Sequence, residues 1–141
     1  MNQPEPQTVL ILCTGNSCRS QMAEVIWNKL GRGQWKAISA GSRPSGYVHE
    51  MALAALQEID LPTHGLSSKS SEPFRDQPFD VVVTVCDNAQ KACPTWPAAE
   101  HILHWPFADP ADAVGTPDEQ MRVFRNVRDQ IQDKIQAYLD G

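Results

Sequence analysis

A chain of 141 residues, 41% hydrophobic and 21% charged, has room for one core and is read as a single domain over residues 1–141. Its formal net charge of -5 excludes a broad basic surface for nucleic acid or anionic lipid, and no apolar run approaches the ~20 residues of a membrane span. Residues 1–7 hold two prolines and neither a basic nor an apolar segment, so they are expected to be a flexible end and no export signal. The four cysteines are then expected to be reduced thiols in the cytoplasm.

Residues 8–12, Thr-Val-Leu-Ile-Leu, are nearly all apolar, the pattern of a strand buried on both faces of a parallel sheet. From Ser20 onward, Met22, Ala23, Val25, Ile26, Trp27 and Leu30 recur at helical spacing, with Gly31 as the stop. Residues 35–40 read as a second strand ended by Gly41, residues 42–47 as a loop bordering the site, and residues 49–58 as a short helix. Residues 61–78 are mostly polar, with a helical turn expected near 71–75. Residues 79–85, β-branched and aromatic over most of their length, form the clearest strand. A long loop follows over 86–99, then a last short strand over 100–105. Thr116, Pro117 and Glu119 spell a capping box for a terminal helix carrying Met121, Phe124, Val127, Ile131, Ile135 and Tyr138 on its apolar stripe. Strands alternating with helices predict an α/β fold: a four-stranded parallel sheet in three layers, with helices on both faces.

The stretch Cys13-Thr14-Gly15-Asn16-Ser17-Cys18-Arg19-Ser20 joins the first strand to the first helix. Loop N–H groups and the unpaired N–H groups of the helix converge on one spot there, and the helix dipole adds positive potential, which makes an anion site. Arg19 closes the ring with a bidentate guanidinium suited to a tetrahedral oxyanion. Cys13 stands at its mouth, where these groups are expected to depress the thiol pKa. Cys18 is read as packing under the ring, without a redox step. No Gly-Lys-Ser/Thr follows, so this is not an ATP-binding loop.

Cys86 and Cys93 flank six residues, a spacing unlike common zinc sites. A redox pair on a loop fits them best, with buried small side chains as the plain alternative. Together with His49, His64, His101 and His104 the cysteines have no regular metal-ligand spacing, so no metal site is expected and the histidines are assigned to packing or surface. Asp109-Pro110 taken alone reads only as the start of a turn.

The segment from Cys13 to Glu24 resembles the signature of arsenate reductases built on the low-molecular-weight tyrosine phosphatase fold. The likeness continues through Ser39-Ala40-Gly41, Val85-Cys86-Asp87, Cys93-Pro94, His104-Trp105 and Phe107-Ala108-Asp109-Pro110. Cys86 and Cys93 resemble the thioredoxin-coupled branch. The resemblance implies that Thr14 to Ser20 hold arsenate, with phosphate or sulfate as mimics, while Cys13 attacks arsenic and Asp109 protonates the departing oxygen. Cys86 then attacks Cys13, Cys93 attacks Cys86, and thioredoxin (or glutaredoxin with glutathione) reduces the Cys86–Cys93 disulfide. It implies no bound cofactor, no nucleic acid or membrane partner, and a monomer serving arsenic detoxification. Two alternatives stand beside it: a tyrosine phosphatase on the same fold, and a non-catalytic thiol sensor or oxyanion-binding module. Against the phosphatase, Ala111 and Asp112 follow Asp109-Pro110 where those enzymes place aromatic residues. Some of these reductases bind potassium beside the loop. Asn16, Glu24 and Ser39 match three ligand positions, and Lys69 aligns with the fourth, so its ammonium is expected to reach Glu24 and Asn16 in place of the ion.

Overall fold

The computed structural model describes residues 5–85, 96 and 99–141. Four strands, β1 (Gln7–Cys13), β2 (Trp35–Gly41), β3 (Phe79–Thr84) and β4 (Ala99–His104), form one sheet in the order β2-β1-β3-β4. All three pairings are parallel. Among the described residues the helices are α1 (Arg19–Leu30), α2 (Glu50–Gln57) and α3 (Pro117–Asp140), with 3-10 turns at Glu72–Phe74 and Pro110–Asp112. Each expected strand and helix is present, with ends displaced by a residue or two.

Alternation along the strands divides the core. Val9, Ile11, Val81 and Val83 join a cluster with Met22, Ile26 and Trp27 of α1, Ala52, Ala55 and Leu56 of α2, and Phe124, Val127, Ile131 and Ile135 of α3. Among the described residues, α1, α2 and α3 thus pack on one face of the sheet. Leu10, Leu12, Ala40, Phe79 and Val82 face the other way, where Trp96 and Phe74 pack against them. Trp27 anchors the larger cluster, fully buried, with ring centroids 5.3 Å from Trp35 and 5.7 Å from both Trp105 and Tyr138.

The capping box of α3 is complete. Glu119 N–H donates to Thr116 Oγ1 at 3.1 Å, and Thr116 N–H to Glu119 Oε1 at 3.3 Å. Such a cap is worth about 1 kcal/mol. α3 is also tied to the end of α2: Glu58 accepts from Arg125 Nη2 at 2.7 Å and from Arg128 Nη1 at 3.0 Å, and Arg128 Nη1 also donates to Ala55 O at 2.8 Å.

Strand order decides where a ligand can enter. From β1 the chain crosses outward to β2, then returns past β1 to β3. The direction of winding therefore reverses between β1 and β3, and a crevice opens beyond their carboxyl ends. Cys13 is the last residue of β1. Beside it, Val85 N–H donates to Leu12 O at 3.0 Å, Trp105 N–H to Thr84 O at 2.8 Å, and Phe107 N–H to Val85 O at 3.2 Å. These bonds carry the segment after β4 back toward the Cys13 loop.

Candidate active site

The loop between Cys13 and Arg19 is shaped by where its carbonyls go. Thr14 O accepts from Arg43 N–H, Gly15 O from Ser45 N–H, and Ser17 O from His49 N–H, each at 2.9 Å. Ser68 Oγ adds a second bond to Gly15 O at 3.0 Å. A planar trans peptide points its N–H opposite its C=O. With these carbonyls fastened outward, the N–H groups of Gly15, Asn16 and Cys18 face the loop interior. The segment over 42–47, expected only as a bordering loop, supplies two of these backbone bonds, and His49 at the start of α2 supplies the third. Gly41 makes this approach possible, because a Cβ on it would lie 2.5 Å from Thr14 O and 3.0 Å from Cys13 O.

Asn16 is the pivot. It is fully buried with a left-handed φ of 50°, a conformation Asn tolerates better than most residues. Its Nδ2 donates to Ser20 Oγ at 2.8 Å and Ser39 Oγ at 3.0 Å. Its Oδ1 accepts from Gln21 Nε2 at 3.0 Å and from the Lys69 backbone N–H at 2.9 Å. Both donors and both lone-pair directions of the amide are therefore used. Ser39 hands the chain on to Glu24 Oε1, which accepts from Ser39 N–H and Oγ at 2.8 Å each.

Arg19 opens α1 and is almost wholly buried. Its Nη1 donates to Phe107 O at 2.9 Å, and its Nη2 lies 3.4 Å from Asp109 Oδ2. Residues 88 and 90 positions apart in the chain are thereby set side by side at the rim of the loop. Asp109 also caps the 3-10 turn Pro110–Asp112, accepting from Ala111 N–H at 3.0 Å, and its Oδ1 accepts from Cys18 Sγ at 3.4 Å. Cys13, Arg19 and Asp109 thus lie in one cluster.

Residues 8–140 match the family described as low molecular weight phosphotyrosine protein phosphatase. The chain belongs to that family. Within it, an arsenate reductase of Halalkalibacterium halodurans is 40% identical over 134 residues, covering 95% of this chain and 96% of the relative. One of Oceanobacillus iheyensis is 39% identical, covering 92% of this chain and 93% of the relative. A solved arsenate reductase in a phosphate-binding state superposes with a TM-score of 0.79 at 32% identity, covering 95% of this chain and 97% of that one.

In this phosphatase-family chain the electrostatics of Cys13 depart from expectation. Burial pushes its thiol up from the ordinary value, and the Asp109 charge adds to that. Arg19 and the N–H groups of Thr14 and Gly15 pull it down without overcoming burial. The expected depression is therefore corrected to a rise. Cys13 is only 6% exposed, and Arg19 divides its charge between the thiol and the Asp109 carboxylate. Burial first, then the Asp109 charge, push the Cys18 thiol up to about 12.

Asn16, Glu24, Ser39 and Lys69 do come together, with one correction. The Lys69 ammonium lies 3.6 Å from Glu24 Oε1 and donates to Ser67 O at 3.3 Å, whereas Asn16 is held by the Lys69 backbone N–H. Potassium does not fit this arrangement. Asn16 Oδ1 already accepts two hydrogen bonds and Glu24 Oε1 accepts two from Ser39, with a lysine ammonium beside it.

Cys86 and Cys93 lie outside the described residues. Among the described residues no group of three His, Cys, Asp or Glu is placed to hold a metal ion, and no helix is long and apolar enough to cross a membrane. His49 accepts from Met51 N–H at 3.1 Å as the cap of α2 and packs on Phe124 at 4.7 Å, while His104 Nδ1 bonds Thr84 Oγ1 at 2.6 Å.

Gln21 was not singled out from the sequence as a site residue. It is fully buried, and its Nε2 donates to Asn16 O at 2.9 Å and Ser67 O at 2.8 Å, joining the loop to the segment that bears Lys69. A signal existed: Gln21 lies four residues before Val25, on the buried side of α1, where a polar residue needs a partner.

Proposed function

We propose that this protein reduces arsenate to arsenite with Cys13 as nucleophile. The observation that carries this reading is the convergence of inward N–H groups and Arg19 on the Cys13 thiol, with Asp109 beside the guanidinium. Arsenate and phosphate share charge and shape, and the 40% and 39% identical relatives are arsenate reductases. An arsenate bound in the loop places Thr14 to Ser20 around its oxygens and draws Arg19 into a two-pronged contact. Its negative charge joins the forces opposing thiol ionisation, so Arg19 and the N–H groups must stabilise both charges together.

The Cys13 thiol passes its proton to an arsenate oxygen; the thiolate sulfur then bonds to arsenic as an arsenate hydroxyl leaves, taking a proton from Asp109 to depart as water. Cys86 thiolate attacks Cys13 sulfur. The S–As bond breaks with its electron pair on arsenic, reducing As(V) to As(III) and leaving a Cys13–Cys86 disulfide. Attack of Cys93 on Cys86 moves the disulfide to Cys86–Cys93 and frees Cys13. An external dithiol of thioredoxin type restores the pair, so no bound redox cofactor takes part. The sequence resemblance supports this relay and a monomer acting in a reducing compartment. Lys69 supplies, covalently, the single positive charge that the resemblance assigns to potassium at this position.

The test is a steady-state assay of arsenite formation, with thioredoxin in one arm and glutaredoxin plus glutathione in the other. Absence of turnover with either would refute the reading. Family membership favours a second reading, hydrolysis of aryl phosphates through a phosphocysteine on Cys13. Turnover of para-nitrophenyl phosphate exceeding that of arsenate would select it.

A further inference from the structure

Cys18 is a buried thiol for which the relay has no use, and its surroundings assign it one. It is 3% exposed, and its Sγ lies 3.4 Å from Asp109 Oδ1, well within the range of a thiol hydrogen bond. The same oxygen accepts from Ala111 N–H at 3.0 Å, while Asp109 Oδ2 faces Arg19 Nη2 at 3.4 Å. The two carboxylate oxygens are therefore not equivalent. Oδ1 is occupied by two donors from the protein, and Oδ2 is turned toward the group that grips the oxyanion.

We infer that Cys18 is a positioning residue for the general acid: its S–H fixes Asp109 through Oδ1, so that Oδ2 is the oxygen that carries and delivers the proton. This rests on the reading of Asp109 as the acid of the first step. Asp109 caps a three-residue turn and its side chain is 26% exposed, so its carboxylate is restrained by Arg19 at Oδ2 and by the two donors at Oδ1. Of the two donors on Oδ1, Ala111 N–H comes from that same turn and moves with it. Cys18 comes from the catalytic loop and, with Arg19 on the other oxygen, registers the carboxylate against the bound oxyanion.

The step balances without any change in Cys18. The Cys13–As bond forms, the As–O bond breaks, and the Oδ2 proton leaves with the oxygen as water. Asp109 remains a carboxylate, held by the same S–H donor. A thiol suits this position because burial keeps it protonated, and so a permanent donor beside a carboxylate.

The experiment measures arsenite released in a single turnover by the full chain, in the wild type, Cys18→Ala, Cys18→Ser, Asp109→Asn and the double variant Cys18→Ala/Asp109→Asn. Inorganic phosphate affinity is measured calorimetrically on each. Cys18→Ala should slow the first turnover roughly 3–10-fold, the worth of one hydrogen bond, with phosphate affinity unchanged. Cys18→Ser, whose hydroxyl also donates, should recover at least half of that loss. In the Asp109→Asn background, Cys18→Ala should slow the reaction no further, because the group it positions no longer carries the proton. Undiminished slowing in that background, a serine no better than alanine, or weakened phosphate binding would overturn the positioning role and leave Asp109 as the acid. An Asp109→Asn variant as fast as the wild type would overturn the acid reading itself.

Discussion

Replacing Asn16 with alanine tests the physical basis of the loop most directly. The change deletes four hydrogen bonds, yet the groups left behind differ in what they retain. Ser39 still donates to Glu24, and Gln21 still donates to Asn16 O and Ser67 O. Among the described residues the Lys69 backbone N–H has no other acceptor, and it is left part-buried at a cost of about 1–3 kcal/mol. Weakened bonding at Ser20 and Ser39 adds about 1 kcal/mol. An alanine held at the positive φ of residue 16 costs roughly 1–2 kcal/mol more. The sum is about 3–6 kcal/mol, which for a domain of this size lowers the melting temperature by roughly 10–20 °C. Asn16→Gly should be less damaging than Asn16→Ala by about 1 kcal/mol, because glycine relieves the φ cost while losing the same bonds. Calorimetric melting and arsenate KM on both variants are the measurements. A loss under about 1 kcal/mol in Asn16→Ala with unchanged KM would refute the claim that this amide holds the loop; glycine no better than alanine would refute the backbone part.

Three further outcomes follow from the site. The pH midpoint for alkylation of Cys13 by iodoacetamide, without oxyanion, should lie above the ~8.5 of a free thiol, and Asp109→Asn should lower it by removing the opposing charge. In linkage terms, a raised folded pKa stabilises the protein below the unfolded value, and that contribution is lost as pH climbs through the folded one; a midpoint at or below ~8.5 would contradict both. Cys93→Ser should release arsenite once and trap a Cys13–Cys86 disulfide, seen by peptide mass mapping, whereas unimpaired multiple turnover would remove Cys93 from the relay. With Lys69 beside Glu24, melting temperature and kcat/KM should be equal in potassium and sodium salts at matched ionic strength, and Lys69→Ala should melt lower. A potassium-specific stabilisation of the unmodified protein would restore the metal site.

The elements written into the sequence are those whose causes are local. An unbroken apolar run makes β1, apolar spacing of three and four makes α1 and α3, and Thr116 with Glu119 closes a cap three residues long. The loop between β1 and α1 is legible for the same reason, since strand, turn and helix are contiguous. Other features needed the tertiary structure, because they depend on distance through space or on a balance of opposing forces. Nothing in the chain near Thr14 says that Arg43, Ser45 and His49 will fasten the loop carbonyls outward, nor that a Cβ at Gly41 would strike Thr14 O. The spacing of Lys69 from Asn16 does not say whether its ammonium or its backbone N–H makes the contact, and the backbone does. Cys13 shows the second kind of limit. Sequence names the groups that favour its thiolate, but only packing reveals that the sulfur is buried and that Asp109 shares Arg19, and those two facts reverse the sign of the shift.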